Sequence, residues 1–263
     1  MVNWRDITLF VLDMDGTVYL GERLLPGAGE FIGFLKEKEI PFLFFTNNSS
    51  RNKRDYVAKL GRLGISIDEH QVMTSTEVMI DYLKAHHPDQ AIHLLGTPAC
   101  EAACVEAGIE VSPQAKIAVA AFDTTLTYDK LVAFCDLLRE GVPFYATHPD
   151  LNCPVEGGFI PDLGAMLALI EKSTGRTPLI TGKPYAATVE AIQHLTSIEP
   201  KHMAFIGDRL YTDMKVAKDN GATALLVLSG ETTKAMLEAS DVTPDGVFSD
   251  LADLSQAMAE AGS

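Results

Sequence analysis

Leu9-Phe10-Val11-Leu12-Asp13-Met14-Asp15-Gly16-Thr17 runs four apolar residues straight into a pair of carboxylates. An unbroken apolar run, as opposed to an alternating one, reads as a parallel strand covered on both faces, and ligands of open α/β sheets bind beyond the carboxyl ends of such strands. Asp13 and Asp15 therefore fall where chemistry is done. Two carboxylates this close do not both stay ionised alone, so their spacing asks for a metal ion or a shared proton. Gly16 and Thr17 turn the chain away at once. Asp and Gly also build ordinary turns, so the pair by itself leaves a plain strand-to-loop turn open.

The same alternation continues outward. Residues 27–39 carry Phe31, Phe34 and Leu35 at helical spacing, and residues 41–45 make a second apolar strand that ends in Thr46-Asn47-Asn48-Ser49-Ser50. Residues 51–63 return as a helix with Tyr56, Val57, Leu60 and Leu63 on one face, stopped by Gly64. Further strands are predicted at 92–95, 117–122, 144–147, 179–181, 203–206 and 224–228, with helices between them. This order predicts an α/β protein built on a parallel sheet.

With 263 residues, 47% hydrophobic and 22% charged, the chain holds enough apolar material for one large domain or two smaller ones. A formal net charge of -15 argues against a nucleic-acid backbone or an anionic membrane as partner, so any phosphate site must be local. No apolar run approaches the roughly 20 residues of a membrane span. The start, Met1-Val2-Asn3-Trp4-Arg5-Asp6, lacks a basic segment followed by an apolar stretch, and we expect a cytoplasmic protein without a secretion signal. Cys100, Cys104, Cys135 and Cys153 show no C-x-x-C pair and read as small buried hydrophobes in a reducing compartment. A zinc site combining them with His86, His87 or His93 lacks its second ligand pair.

Three further strand ends carry chemistry-bearing residues. Thr46 to Ser50 offers a hydroxyl and amides ahead of a helix N-terminus, which suits a phosphate, although Ser49 or Ser50 reads equally as a helix cap. Thr181-Gly182-Lys183-Pro184 places a lysine between a glycine and a proline suited to a first helical turn, a fixed positive charge for a phosphate. Gly207-Asp208-Arg209-Leu210-Tyr211-Thr212-Asp213 supplies Asp208, able to complete an oxygen-ligand Mg²⁺ site with Asp13, and Asp213, able to orient a metal-bound water.

Taken together, Asp13-Met14-Asp15-Gly16-Thr17-Val18, Thr46-Asn47-Asn48, Gly182-Lys183-Pro184 and Gly207-Asp208 with Asp213 resemble the four motifs of the haloacid dehalogenase superfamily of phosphotransferases. The T-N-N and G-K-P forms and the long insertion between them look like its NagD-like, or para-nitrophenylphosphatase, branch. The resemblance implies a Rossmann-like core from residues 1–77 and 179–263, interrupted by an α/β cap at 78–178. It also implies that Asp15 protonates the leaving oxygen, then activates water, and ligates the metal through its backbone carbonyl.

Beside the resemblance, Asp13 is a carboxylate able to attack phosphorus and form an aspartyl-phosphate, with Mg²⁺ and Lys183 screening the anions and Thr46 and Asn47 holding phosphoryl oxygens. The expected function is a Mg²⁺-dependent phosphatase of a small phosphorylated metabolite. A phosphotransferase or mutase of the same fold, and a receiver that merely stores phosphate on Asp13, are the alternatives. Dehalogenases of this fold do not need Asp15, and a receiver has no use for the inserted cap. Substrate choice is expected in the cap, with His148, Asp150 and Asn152 as candidate contacts and Glu156-Gly157-Gly158 and Asp162-Leu163-Gly164-Ala165 as a second loop. The branch is compatible with a homodimer through the cap.

Overall fold

The computed structural model describes residues 2–155 and 157–261, and its contacts divide the chain into two units. The first combines the chain up to Thr46, Tyr56–Met73 and the chain from Ile192 on; the second combines Asn47–Asp55 with Thr74–Ala191.

The first unit is built on a six-stranded sheet in the order Gly246–Phe248, Thr223–Val227, Met203–Gly207, Leu9–Leu12, Phe42–Thr46, Val72–Thr74. Leu9–Leu12 runs parallel to both neighbours, with Leu12 beside Ile206 on one side and Phe44 on the other. Its successor in sequence lies on one side and a strand from the far end of the chain on the other. That reversal is the switch point of a doubly wound sheet, and it falls between the ends of Leu9–Leu12 and Met203–Gly207.

The unbroken apolar runs have a plain cause. Phe10, Leu12, Phe42, Phe44, Ala204, Ile206, Leu225 and Val227 point into one core with the helices Ala28–Glu37 and Leu251–Ala261, while Leu9, Val11, Leu43, Phe45, Phe205 and Leu226 are equally buried on the alternate positions. Both faces are dry, so no polar residue is tolerated until the strands end. Phe44 is wholly enclosed and meets Phe42 edge-on at 5.7 Å. Phe44→Ala is expected to destabilise the fold by about 3–5 kcal/mol, measured by denaturant unfolding.

The second unit carries a four-stranded sheet in the order Leu179–Ile180, Phe144–Ala146, Ala118–Ala120, His93–Leu95, with every neighbour parallel. Period-two alternation again buries both faces. Ala118 and Ala120 join a cluster with Phe134, Leu138 and Ile170 from the helices Tyr128–Arg139 and Leu163–Thr174, while Val119 joins Met79, Leu83 and Cys104 from Ser75–His86 and Pro98–Glu106. These helices start where local chemistry says they should. Thr74 and Glu77 form a reciprocal cap, and Thr97 caps a helix with Pro98 in its first turn. A separate hairpin pairs Asn152–Val155 with Gly158–Pro161.

The contacts cut the chain elsewhere than at the expected residues 78 and 178. Leu179–Ile180 hydrogen-bonds to Phe144–Ala146 as the edge of the second unit's sheet, so Lys183 goes with that unit. Asn47–Asp55 goes there too, stitched down by its own polar groups: Phe122 N–H donates to Ser49 Oγ at 2.8 Å, Thr97 Oγ1 to Ser50 O at 2.9 Å, and Ser75 Oγ to Asn47 O. Pro184 does not open a helix; the next one is Ala187–Thr196, and the Lys183–Pro184 peptide is cis. All four cysteines are free, three of them buried, in line with the hydrophobe reading. Among the described residues no helix is long and apolar enough to cross a membrane.

Candidate active site

In the first unit, Asp13, Asp208 and Asp213 come together at the switch point, each offering a carboxylate oxygen within 4.8 Å of the others. Asp13 follows Leu12, and its N–H donates to Ile206 O at 2.8 Å, which fixes it beside the end of Met203–Gly207. Asp213 reaches the cluster because Leu210–Met214 winds as one wide π-type turn, in which Asp213 Oδ2 accepts the Arg209 N–H at 3.1 Å. Asp208 is gripped from one side only. Its Oδ2 accepts the Glu231 N–H at 2.6 Å, while its Oδ1, fully buried, has no hydrogen-bond partner.

That orphaned oxygen is the sharpest observation in the unit. A buried carboxylate oxygen left unpaired is costly, and a cluster of carboxylate oxygens is the donor set of a hard divalent cation. Burial first, and the Asp213 carboxylate next, push the Asp208 carboxyl from its ordinary 3.8 up to about 7. The backbone closes tightly around it: a Cβ on Gly230 would sit 1.9 Å from Asp208 Oδ2, and one on Gly16, whose φ is +91°, would sit at 2.4 Å. Ser229 Oγ donates to Gly16 O at 2.9 Å and ties the two turns together. Asp15 is half-buried, and Tyr19 OH donates to its Oδ2 at 3.3 Å. Burial, with the Asp15 charge second, drives the Tyr19 phenol well above its ordinary range, so it stays a donor. Thr46 closes its strand in a buried position.

In the second unit, Asn47 and Lys183 are brought together. Lys183 N–H donates to Asn47 Oδ1 at 3.0 Å, and Asn47 Nδ2 donates to Lys183 O at 3.0 Å and to both Asp150 carboxylate oxygens at 3.3 Å. The Asn47 side chain is thereby engaged as a clamp on the Lys183 backbone. Lys183 itself is buried.

His148, expected to touch substrate, is fully enclosed. Its Nε2 faces Asp162 Oδ1 at 2.9 Å and its Nδ1 faces Thr147 Oγ1 at 3.0 Å, so both ring nitrogens serve internal partners. Asp162 also caps the helix Leu163–Thr174 by accepting the Leu163 N–H. His148, Asp150 and Asp162 are close enough to hold a metal, yet each already has a protein partner. Asn152 is exposed at the start of the hairpin, paired with Pro161, and Glu156 lies outside the described residues. Among the described residues no metal-capable group contains a cysteine, so the zinc combination is not formed.

Known proteins resemble this chain over most of its length. A family model described as haloacid dehalogenase-like hydrolase matches residues 10–110, and a HAD-hydrolase-like model matches 180–254. An acid sugar phosphatase of Staphylococcus haemolyticus is 31% identical over 244 residues, covering 92% of this chain and 93% of that one. The chain belongs to the haloacid dehalogenase-like hydrolases. Within them it stands in the NagD-like phosphatase branch: the structure of a 4-nitrophenylphosphatase from Thermotoga maritima superposes with a TM-score of 0.94 at 44% identity, covering 98% of this chain and 100% of that one. A putative nagD protein follows at 0.91 and 42%, over 98% and 100%.

For a hydrolase of this family, two contributors went unread in the sequence. Ser229-Gly230-Glu231 follows the strand Thr223–Val227 after one intervening residue, near a strand end as the recognised motifs are, but has no acidic pair or lysine to flag it. Its contribution is a backbone N–H and the absence of a side chain. Tyr19 reads as one more apolar residue after the turn, and only the folded turn brings its hydroxyl back to Asp15.

Proposed function

We propose that the protein is a Mg²⁺-dependent phosphatase of small phosphomonoesters, working through an aspartyl-phosphate on Asp13. The observation that carries this reading is the Asp13, Asp208 and Asp213 cluster with its unpaired Asp208 oxygen. Asp13, Asp208 and the Asp15 backbone carbonyl would hold the ion, with Asp213 orienting its surroundings. The cation, when bound, neutralises phosphoryl charge and allows the Asp13 carboxylate to approach an anion.

The chain's own residues do the rest. An Asp13 oxygen forms a bond to phosphorus as the bond to the leaving oxygen breaks, and protonated Asp15 gives its proton to that oxygen. Asp15, now ionised, takes a proton from water; the water oxygen bonds to phosphorus, the Asp13–phosphorus bond breaks, and inorganic phosphate leaves. The Thr46 hydroxyl, the Asn47 N–H and the Lys183 ammonium hold the phosphoryl oxygens. The second unit is proposed to choose the substrate, with sugar phosphates and aryl phosphates the first to try, from the names its relatives carry.

The test is phosphate release from such a panel with Mg²⁺ and with chelator. Chelation is expected to stop release and added Mg²⁺ to restore it; metal-independent turnover would contradict the site. A thermal readout goes with it. Asp208 is folded with its carboxyl raised to about 7 from an ordinary 3.8, so its contribution to stability is complete below the ordinary value and is lost as pH rises through about 7. The metal-free protein should therefore melt lower at pH ~8 than at pH ~6, and Mg²⁺ should recover more stability at the higher pH because the ionised carboxylate is the ligand.

A further inference from the structure

Tyr19 is buried beneath the catalytic turn and returns its hydroxyl to 3.3 Å from Asp15 Oδ2. The backbone enforces this approach. Gly16 N–H donates to Tyr19 O at 2.9 Å, and Val18 and Tyr19 N–H groups both donate to Met14 O, at 2.9 and 3.1 Å, so residues 14–19 close into one compact loop. Tyr19–Leu20 then pairs antiparallel with Arg23–Leu24. The ring is pinned from the other side by Lys59, itself buried, whose Nζ lies 3.6 Å from the ring centroid. A phenol this enclosed has little freedom, and a buried hydroxyl needs a polar partner; here that partner includes the carboxyl of the proposed acid.

We propose that Tyr19 is the positioning residue for Asp15: by holding Oδ2 it sets the orientation of the carboxyl that delivers the proton to the leaving oxygen. The proposal rests on the reading of Asp15 as the proton donor. A carboxyl in the wrong rotamer does not present its proton in line, and a hydrogen bond to one oxygen from a fixed ring favours the right one. The hydrogen bond is long for an O–H···O contact, as those of catalytic groups often are before substrate binds.

Leaving groups separate this role from a structural one. Phenyl phosphate must expel a basic phenolate and needs the proton, whereas 4-nitrophenyl phosphate expels a stabilised anion and needs it little. The parameter kcat/KM covers events through departure of the leaving group, so it isolates the step in question. Tyr19→Phe keeps the ring, its packing and its contact with Lys59, and removes the hydroxyl alone. In Tyr19→Phe, kcat/KM for phenyl phosphate is expected to fall about tenfold and that for 4-nitrophenyl phosphate less than about twofold, with an unchanged melting temperature. Asp15→Asn should show the same selectivity, more steeply. Equal losses for both esters, or no loss for either, would overturn the assignment. Asp13→Asn run in parallel tells the two levels apart: turnover surviving there sinks the aspartyl-phosphate reading itself, whereas a dead Asp13→Asn with an unselective Tyr19→Phe sinks only the role of Tyr19.

Discussion

Asp13→Asn is expected to lose turnover by on the order of 10⁴-fold or more while remaining folded. The amide keeps the shape of the carboxylate and so keeps the packing at the end of Leu9–Leu12, but it cannot attack phosphorus. Removing one of three carboxylates that share a site of 4.8 Å also relieves repulsion, so the melting temperature of the metal-free variant should hold or rise. A steady-state assay with 4-nitrophenyl phosphate and a melting curve measure the two effects. A folded Asp13→Asn with a rate near that of the native protein would leave the Asp13 nucleophile without support.

Lys183→Met is the second large expected effect, a loss of about 10²–10³-fold in kcat/KM. The side chain is buried, so its charge acts where water screens it little, and methionine fills a similar volume without the ammonium. Removing a buried charge leaves the groups around it uncompensated, so a melting curve accompanies the assay and the loss is read in the folded variant. The Asn47 clamp holds the Lys183 backbone through main-chain atoms, and the substitution leaves that clamp in place. Lys183→Arg is not expected to rescue, because a planar fork does not replace a compact point charge in a site built around one. A loss smaller than about tenfold in a folded Lys183→Met would remove Lys183 from the proposed machinery.

How far the chain can be read without its structure depends on what each feature is made of. Strand ends were legible because covering both faces of a sheet forces an unbroken apolar run, and the first polar residue marks where it stops: Asp13, Thr46 and Asp208 all declare themselves this way. Val72–Thr74 and Gly246–Phe248 escaped because a three-residue edge strand leaves no pattern. The hairpin at Asn152–Val155 and Gly158–Pro161 escaped for another reason, its proline, asparagine and glycine residues being those of a loop. His148 had the chemistry of a substrate contact but was drawn inward by Asp162 and Thr147, partners that only the fold brings together. Asn47, expected beside Thr46 as a phosphoryl holder, uses its side chain on the Lys183 backbone, a pairing 136 residues apart that no local pattern signals.

The most direct test of the aspartyl-phosphate is to trap it. Rapid quenching during turnover, followed by borohydride reduction of any acyl phosphate and peptide mass spectrometry, locates the phosphorylated carboxyl. The account predicts reduction at Asp13 that requires both Mg²⁺ and phosphate ester and is absent from Asp13→Asn; turnover with no trapped carboxyl, or with the label on another residue, would contradict it.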